Sequence, residues 1–90
     1  MLTKKEQNVI RKCAKKYNVS SVFVFGSSMT GKGAKDIDLA VKGINPRTFF
    51  DFYAELFKHL SKPVDLVDLE EVDTYFASRI LEEGKLIYEG

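Results

Sequence analysis

Val22-Phe23-Val24-Phe25-Gly26-Ser27, followed after eight residues by Asp36-Ile37-Asp38-Leu39-Ala40-Val41, decides how this chain is read. The first apolar run is short and continuous, the pattern of a strand buried on both faces, and Gly26 stops it. The second run alternates, with Ile37, Leu39 and Val41 on one face and both aspartates on the other. Between them, residues 27–35 are rich in glycine and small polar side chains, the composition of a connection. Gly26 to Lys32 also spells G-x-x-x-x-G-K, nearly the P-loop that cradles nucleotide phosphates. Gly33, however, stands where that motif needs a hydroxyl for magnesium, and only Ala34 and Lys35 separate the loop from the next strand. No room is left for the helix whose N-terminus should face the phosphates, so the loop has to be read together with the aspartates after it.

Working outward, Thr3 and Glu6 form a capping-box signature, and Val9, Ile10, Cys13, Ala14 and Tyr17 recur at helical spacing, which predicts an amphipathic helix over residues 4–17. Downstream, Asn45-Pro46 opens a second helix that runs to about Leu60. Phe49, Phe50, Tyr53, Leu56, Phe57 and Leu60 form its apolar stripe, read as core. Val64-Asp65-Leu66-Val67-Asp68-Leu69 is a third strand candidate. Asp73 caps a last helix with Tyr75, Phe76, Ile80 and Leu81 inward, Gly84 stops it, and Leu86-Ile87-Tyr88 closes the order as a short edge strand. The expected fold is α/β (α+β), a small mixed sheet flanked by helices, with residues 1–90 as one domain.

Composition narrows the function classes. Of the 90 residues, 44% are hydrophobic and 12% aromatic, which excludes disorder, and no apolar stretch approaches the roughly 18 residues of a membrane span. One cysteine, Cys13, allows neither a disulfide framework nor a cysteine zinc site. With a charged, lysine-rich start in place of a signal peptide, a cytoplasmic location is expected. The net charge of +1 hides a partition: residues 1–35 hold eight basic and one acidic side chain, and residues 64–90 two basic and eight acidic. Charged helix faces account for most of this.

The aspartates carry the chemistry. Residues i and i+2 of a strand project to one face, so Asp36 and Asp38 set two carboxylates side by side, where they repel unless a cation joins them. Magnesium suits this donor set, because it takes one or two carboxylates and completes its shell with phosphate oxygens and water. Two such ions would stabilise the attacking and leaving oxygens of an in-line displacement at phosphorus, which calls for a third carboxylate. Asp65 and Asp68 are the candidates. If Val64 and Leu66 share the core face of Ile37 and Leu39, Asp65 shares the face of Asp36 and Asp38 and Asp68 points away, free to cap a turn before Glu71.

Gly26-Ser27 at the end of a strand, then Asp36-Ile37-Asp38 on the next, then a Val-Asp-Leu-Val strand, resembles the DNA polymerase β-like nucleotidyltransferase superfamily. In length and element order the whole chain is similar to its minimal nucleotidyltransferase family. The resemblance implies a nucleotidyltransferase fold, Mg2+ and ATP as substrate, with AMP moved to a hydroxyl. It assigns Gly26 and Ser27 to the triphosphate, with Ser28 standing where family members often carry arginine; Lys32 and Lys35 in the same loop are read either as further phosphate contacts or as solvent-facing lysines. It makes Asp36, Asp38 and Asp65 the metal-binding and catalytic residues, Asp65 also helping to deprotonate the attacking hydroxyl, and it agrees with Asp65 as the third acid.

Ninety residues leave no room for a substrate-selecting domain. The resemblance implies an acceptor brought by a partner, a HEPN-family helical protein modified on tyrosine, with this chain as antitoxin of a toxin–antitoxin pair. The alternative is a catalytically weak or inactive binding module that neutralises its partner by occlusion. Nucleic acid is not the expected partner, since a charge of +1 gives little counterion-release drive, and the oligomeric state stays open. His59 is read as a helix-terminus charge and Cys13 as a buried, inert thiol.

Overall fold

The computed structural model describes residues 2–26 and 35–90. Chain order is α1 (Lys4–Lys16), β1 (Ser21–Phe25), β2 (Ile37–Lys42), a 3-10 turn (Pro46–Thr48), α2 (Phe49–His59), β3 (Val64–Asp68), α3 (Thr74–Glu83) and β4 (Lys85–Glu89).

Both ends of α1 follow from local chemistry. Thr3 Oγ1 accepts from the Glu6 amide at 3.0 Å, while Glu6 Oε1 accepts from the Thr3 amide at 2.9 Å, so two otherwise unpartnered amides are satisfied reciprocally. At the other end Asn18 turns left-handed with φ of 55°, the Val19 amide reaches the Ala14 carbonyl at 2.9 Å, and the Asn18 amide reaches that of Lys15 at 3.3 Å. This is a Schellman stop with asparagine in the usual place of glycine. At the start of the 3-10 turn that leads into α2, Asn45 Oδ1 accepts from the Arg47 amide at 2.9 Å, and Pro46 sits where an amide would have no partner, so the helical stretch expected from Asn45 opens as this turn and becomes α-helical only at Phe49.

The strands form one sheet in the order β3-β2-β1-β4. β1 runs antiparallel to β2 and β4, whereas β2 and β3 are parallel and joined over one face by α2, so the sheet is mixed as expected. On that face Val22, Val24, Ile37, Leu39, Val41, Val64 and Leu66 meet Ile10, Cys13 and Ala14 of α1 and Phe52 and Leu56 of α2. Each large side chain removed from water here contributes about 1.5–3 kcal/mol. Among the described residues the opposite face carries a smaller cluster, in which Ala40, Leu69 and Ile80 pack with Phe23, Phe25, Val67 and Ala77 under α3.

Two apolar stripes are narrower than the sequence suggests. Phe50 and Phe57 of α2 are 77% and 56% exposed, and on α3 Tyr75 is 71% exposed while Ile80 is buried. Leu81 is exposed as well. One helix laid on a sheet buries the residues facing it, here Phe52 and Leu56, and the flanking aromatics have no further layer to enter.

Candidate active site

The C-terminal end of β1 and the N-terminal ends of β2 and β3 lie side by side. The register sets Phe25 opposite Asp38 and Asp38 beside Asp65, in one row across three strands. Ile37 and Val64, the preceding pair, are buried in the α1/α2 core, so alternation turns Asp38 and Asp65 to the opposite face, the one α3 partly covers. Adjacent strands are about 4.8 Å apart, which brings the two carboxylates within reach of one ion. Asp38 is half-buried and Asp65 exposed. Asp36 has the parity of Asp38 but precedes β2, in a bend, and is exposed, as is Lys35.

Gly26 shapes the ground beside Asp38. Its φ is +66°, left-handed, and a Cβ placed on it would stand 2.5 Å from Asp38 Oδ2 and 3.3 Å from Asp38 Cγ. The carboxylate therefore lies in space that any side chain at position 26 would fill.

Asp68 is set apart from this group. It pairs with Val41 at the far end of β3, roughly 10 Å along the strand from Asp65 at 3.3 Å per residue. Its carboxylate accepts from the Glu70 amide at 3.0 Å, and its carbonyl accepts from Glu71 at 2.9 Å. It caps the turn that leaves the strand.

Ser27, Ser28 and Lys32, the other expected phosphate contacts, lie outside the described residues. Among the described residues no three His, Cys, Asp or Glu side chains converge into a metal-holding group, so Asp36 is not drawn together with Asp38 and Asp65. The donor set still fits magnesium, which needs only one or two protein carboxylates beside phosphate and water. Asp38 and Asp65, hard oxygen donors on neighbouring strands next to the Gly26 backbone, supply that number.

The family model described as polymerase beta, nucleotidyltransferase, matches residues 7–90. This chain belongs to that family. Solved structures share its fold. A chain of a toxin–antitoxin complex with AMP-PNP has a TM-score of 0.78 and 25% identity, covering 93% of this chain and 73% of that one. A variant of the MntA–HepT toxin–antitoxin in which two aspartates two positions apart are each changed to glutamate has a TM-score of 0.78 at 22% identity, covering 93% and 73%. A complex of tri-AMPylated HEPN toxin with MNT antitoxin from Shewanella oneidensis has a TM-score of 0.74 at 24% identity, covering 94% and 71%. Among curated proteins none matches the chain.

Next to this site lies a cleft that the sequence reading did not anticipate. Phe25, Gly26, Tyr75, Phe76, Arg79, Ile80 and Glu83 enclose about 330 Å³ between the end of β1 and α3. Phe25 and Phe76 meet edge to face with centroids 6.1 Å apart. Arg79 donates to Glu83 at 2.7 Å and to the Tyr75 hydroxyl at 3.2 Å. The i, i+4 spacing of Tyr75, Arg79 and Glu83 was the available signal, but it shows only that three side chains share one helix face.

The remaining singletons are structural. Cys13 is buried, and burial, with the Glu55 carboxylate 3.9 Å away, pushes its thiol pKa up, which keeps it protonated and a poor nucleophile. His59 is the last residue of α2, where a positive charge suits the helix dipole.

Proposed function

We propose that this nucleotidyltransferase moves AMP from ATP onto a hydroxyl of a HEPN-family partner protein, and so acts as the antitoxin of a toxin–antitoxin pair. The observation that carries the reading is the row of Asp38 and Asp65 on adjacent strands, facing one way, beside a glycine whose missing side chain makes the room. The adenylyl group and the HEPN partner rest on structural neighbours: one holds AMP-PNP, and another pairs an MNT antitoxin with an AMPylated HEPN toxin.

Asp38 and Asp65 would hold magnesium, with Asp36 at the mouth of the site able to hold a further ion once substrate phosphate completes its shell. Bound there, the metal supplies positive charge to the triphosphate and lowers the cost of charge build-up at the α-phosphate. Gly26, with no side chain to stand between the chain and the phosphates, would let its backbone approach the triphosphate closely beside the Asp38 carboxylate, and the Ser27 hydroxyl would donate to one of its oxygens. The acceptor hydroxyl oxygen bonds to the α-phosphorus as the bond from that phosphorus to the pyrophosphate oxygen breaks. The hydroxyl proton passes to the Asp65 carboxylate, and pyrophosphate leaves.

Incubating the full chain with α-labelled ATP, magnesium and a HEPN-family protein, the product of the neighbouring gene being the first candidate, tests this reading. Label on the partner, lost with Asp36→Asn and Asp38→Asn, is the expected result. An unlabelled partner that is nevertheless bound and neutralised would instead establish occlusion without catalysis.

A further inference from the structure

Resting on that reading of the site, we propose that the cleft between the end of β1 and α3 receives the nucleobase of the triphosphate, with Tyr75 and Phe76 as its stacking surface. Three observations converge. The cleft and the carboxylate site share a wall: Gly26 lines the cleft and also borders the Asp38 carboxylate, so a triphosphate laid along Gly26 enters the cleft at its nucleoside end. At about 330 Å³ the space lies at the small end of ligand-binding cavities, the scale of one base with part of its ribose. Its chemistry also suits a flat aromatic guest. Tyr75 is 71% and Phe76 39% exposed, both large apolar faces left open to water on a helix whose Ile80 is buried.

Arg79 adds direction. Its guanidinium lies 6.0 Å from the Tyr75 ring centroid and is held at its other side by Glu83. Tyr75 is thereby fixed in place before a ligand arrives, which lowers the ordering cost of stacking. The guanidinium also offers donors at the rim, where the acceptor atoms of a base edge would lie. An acceptor side chain from a partner protein is the competing guest, and the affinity for the nucleotide alone separates the two.

The measurement is binding of ATP and of inorganic tripolyphosphate, each with magnesium, to the full wild-type chain and to Tyr75→Ala, Phe76→Leu and Phe57→Ala. Tyr75 touches solvent more than core, so its truncation leaves the fold standing, and Phe57 on the far face of the sheet serves as control. The expected result is that Tyr75→Ala weakens ATP roughly five- to twenty-fold, the lower part of the range for losing one stacking partner, and leaves tripolyphosphate unchanged. Phe76→Leu should weaken ATP less and Phe57→Ala should alter neither ligand. ATP affinity unchanged in Tyr75→Ala would overturn the base assignment while leaving the transfer site standing, as would an equal loss for both ligands. Failure of the wild type to bind either ligand would remove the nucleotide site itself, and the base assignment with it.

Discussion

At the scale of single residues, Gly26 carries the strongest constraint. An L side chain there adopts a left-handed backbone at a cost of about 1–2 kcal/mol, and its Cβ would lie 2.5 Å from Asp38 Oδ2. Gly26→Ala is expected to lower Tm by roughly 5–15 °C, the range for such a cost in a domain of this size, and to abolish nucleotidyl transfer in protein that still folds. Circular dichroism melting together with a transfer assay checks both parts. The parity argument that set Asp65 on the face of Asp38 was legible because β2 and β3 carry no bulge between Ile37–Val64 and Val41–Asp68. What the sequence could not show is that Asp36 stands ahead of β2, because alternation assigns a face only to residues the strand includes.

At the scale of elements, α1 and α2 are tied by Glu55, which accepts from Lys16 Nζ at 2.8 Å and from the Tyr17 hydroxyl at 3.0 Å. The hydrogen bond from Lys16 holds the Glu55 carboxyl below its ordinary value of 4.5, with Tyr17 adding to it against partial desolvation. A pKa lower in the folded than in the unfolded chain stabilises the fold above about pH 4.5, and that stability is lost as pH falls through the folded value. Glu55→Gln should accordingly melt below wild type near neutral pH, with the difference closing as the pH falls below 4.5 and through the lowered folded-state value. Melting curves across that range check it, and a gap unchanged at low pH would contradict it. The link itself was invisible in the sequence, since Lys16 and Glu55 belong to different helices and only the packing of α1 on α2 joins them. The exposed Phe50 and Phe57 have the same cause: periodicity gives the direction of an apolar stripe, and the number of layers around the helix decides how much of its width is buried.

At the scale of the whole molecule, the element order was legible from caps, glycines and alternation, and so was a mixed sheet. The strand order β3-β2-β1-β4 was not, because no local signal states which strands pair. That order produces the site. Placing β2 between an antiparallel β1 and a parallel β3 brings the end of one neighbour and the start of the other to the start of β2, where Gly26, Asp38 and Asp65 meet. Dividing two long helices onto one face and the shorter α3 onto the other leaves the carboxylate face, among the described residues, only partly covered. The central claim is that this meeting point performs the transfer, and magnesium-dependent transfer of AMP from labelled ATP to the HEPN-type partner, compared for Asp38→Asn, Asp65→Asn and Asp68→Asn, tests it most directly. The account predicts a loss of at least about 100-fold for the first two, the scale for removing one group that stabilises transition-state charge, and near-wild-type transfer for Asp68→Asn. Transfer that survives Asp65→Asn but is lost with Asp68→Asn would contradict it.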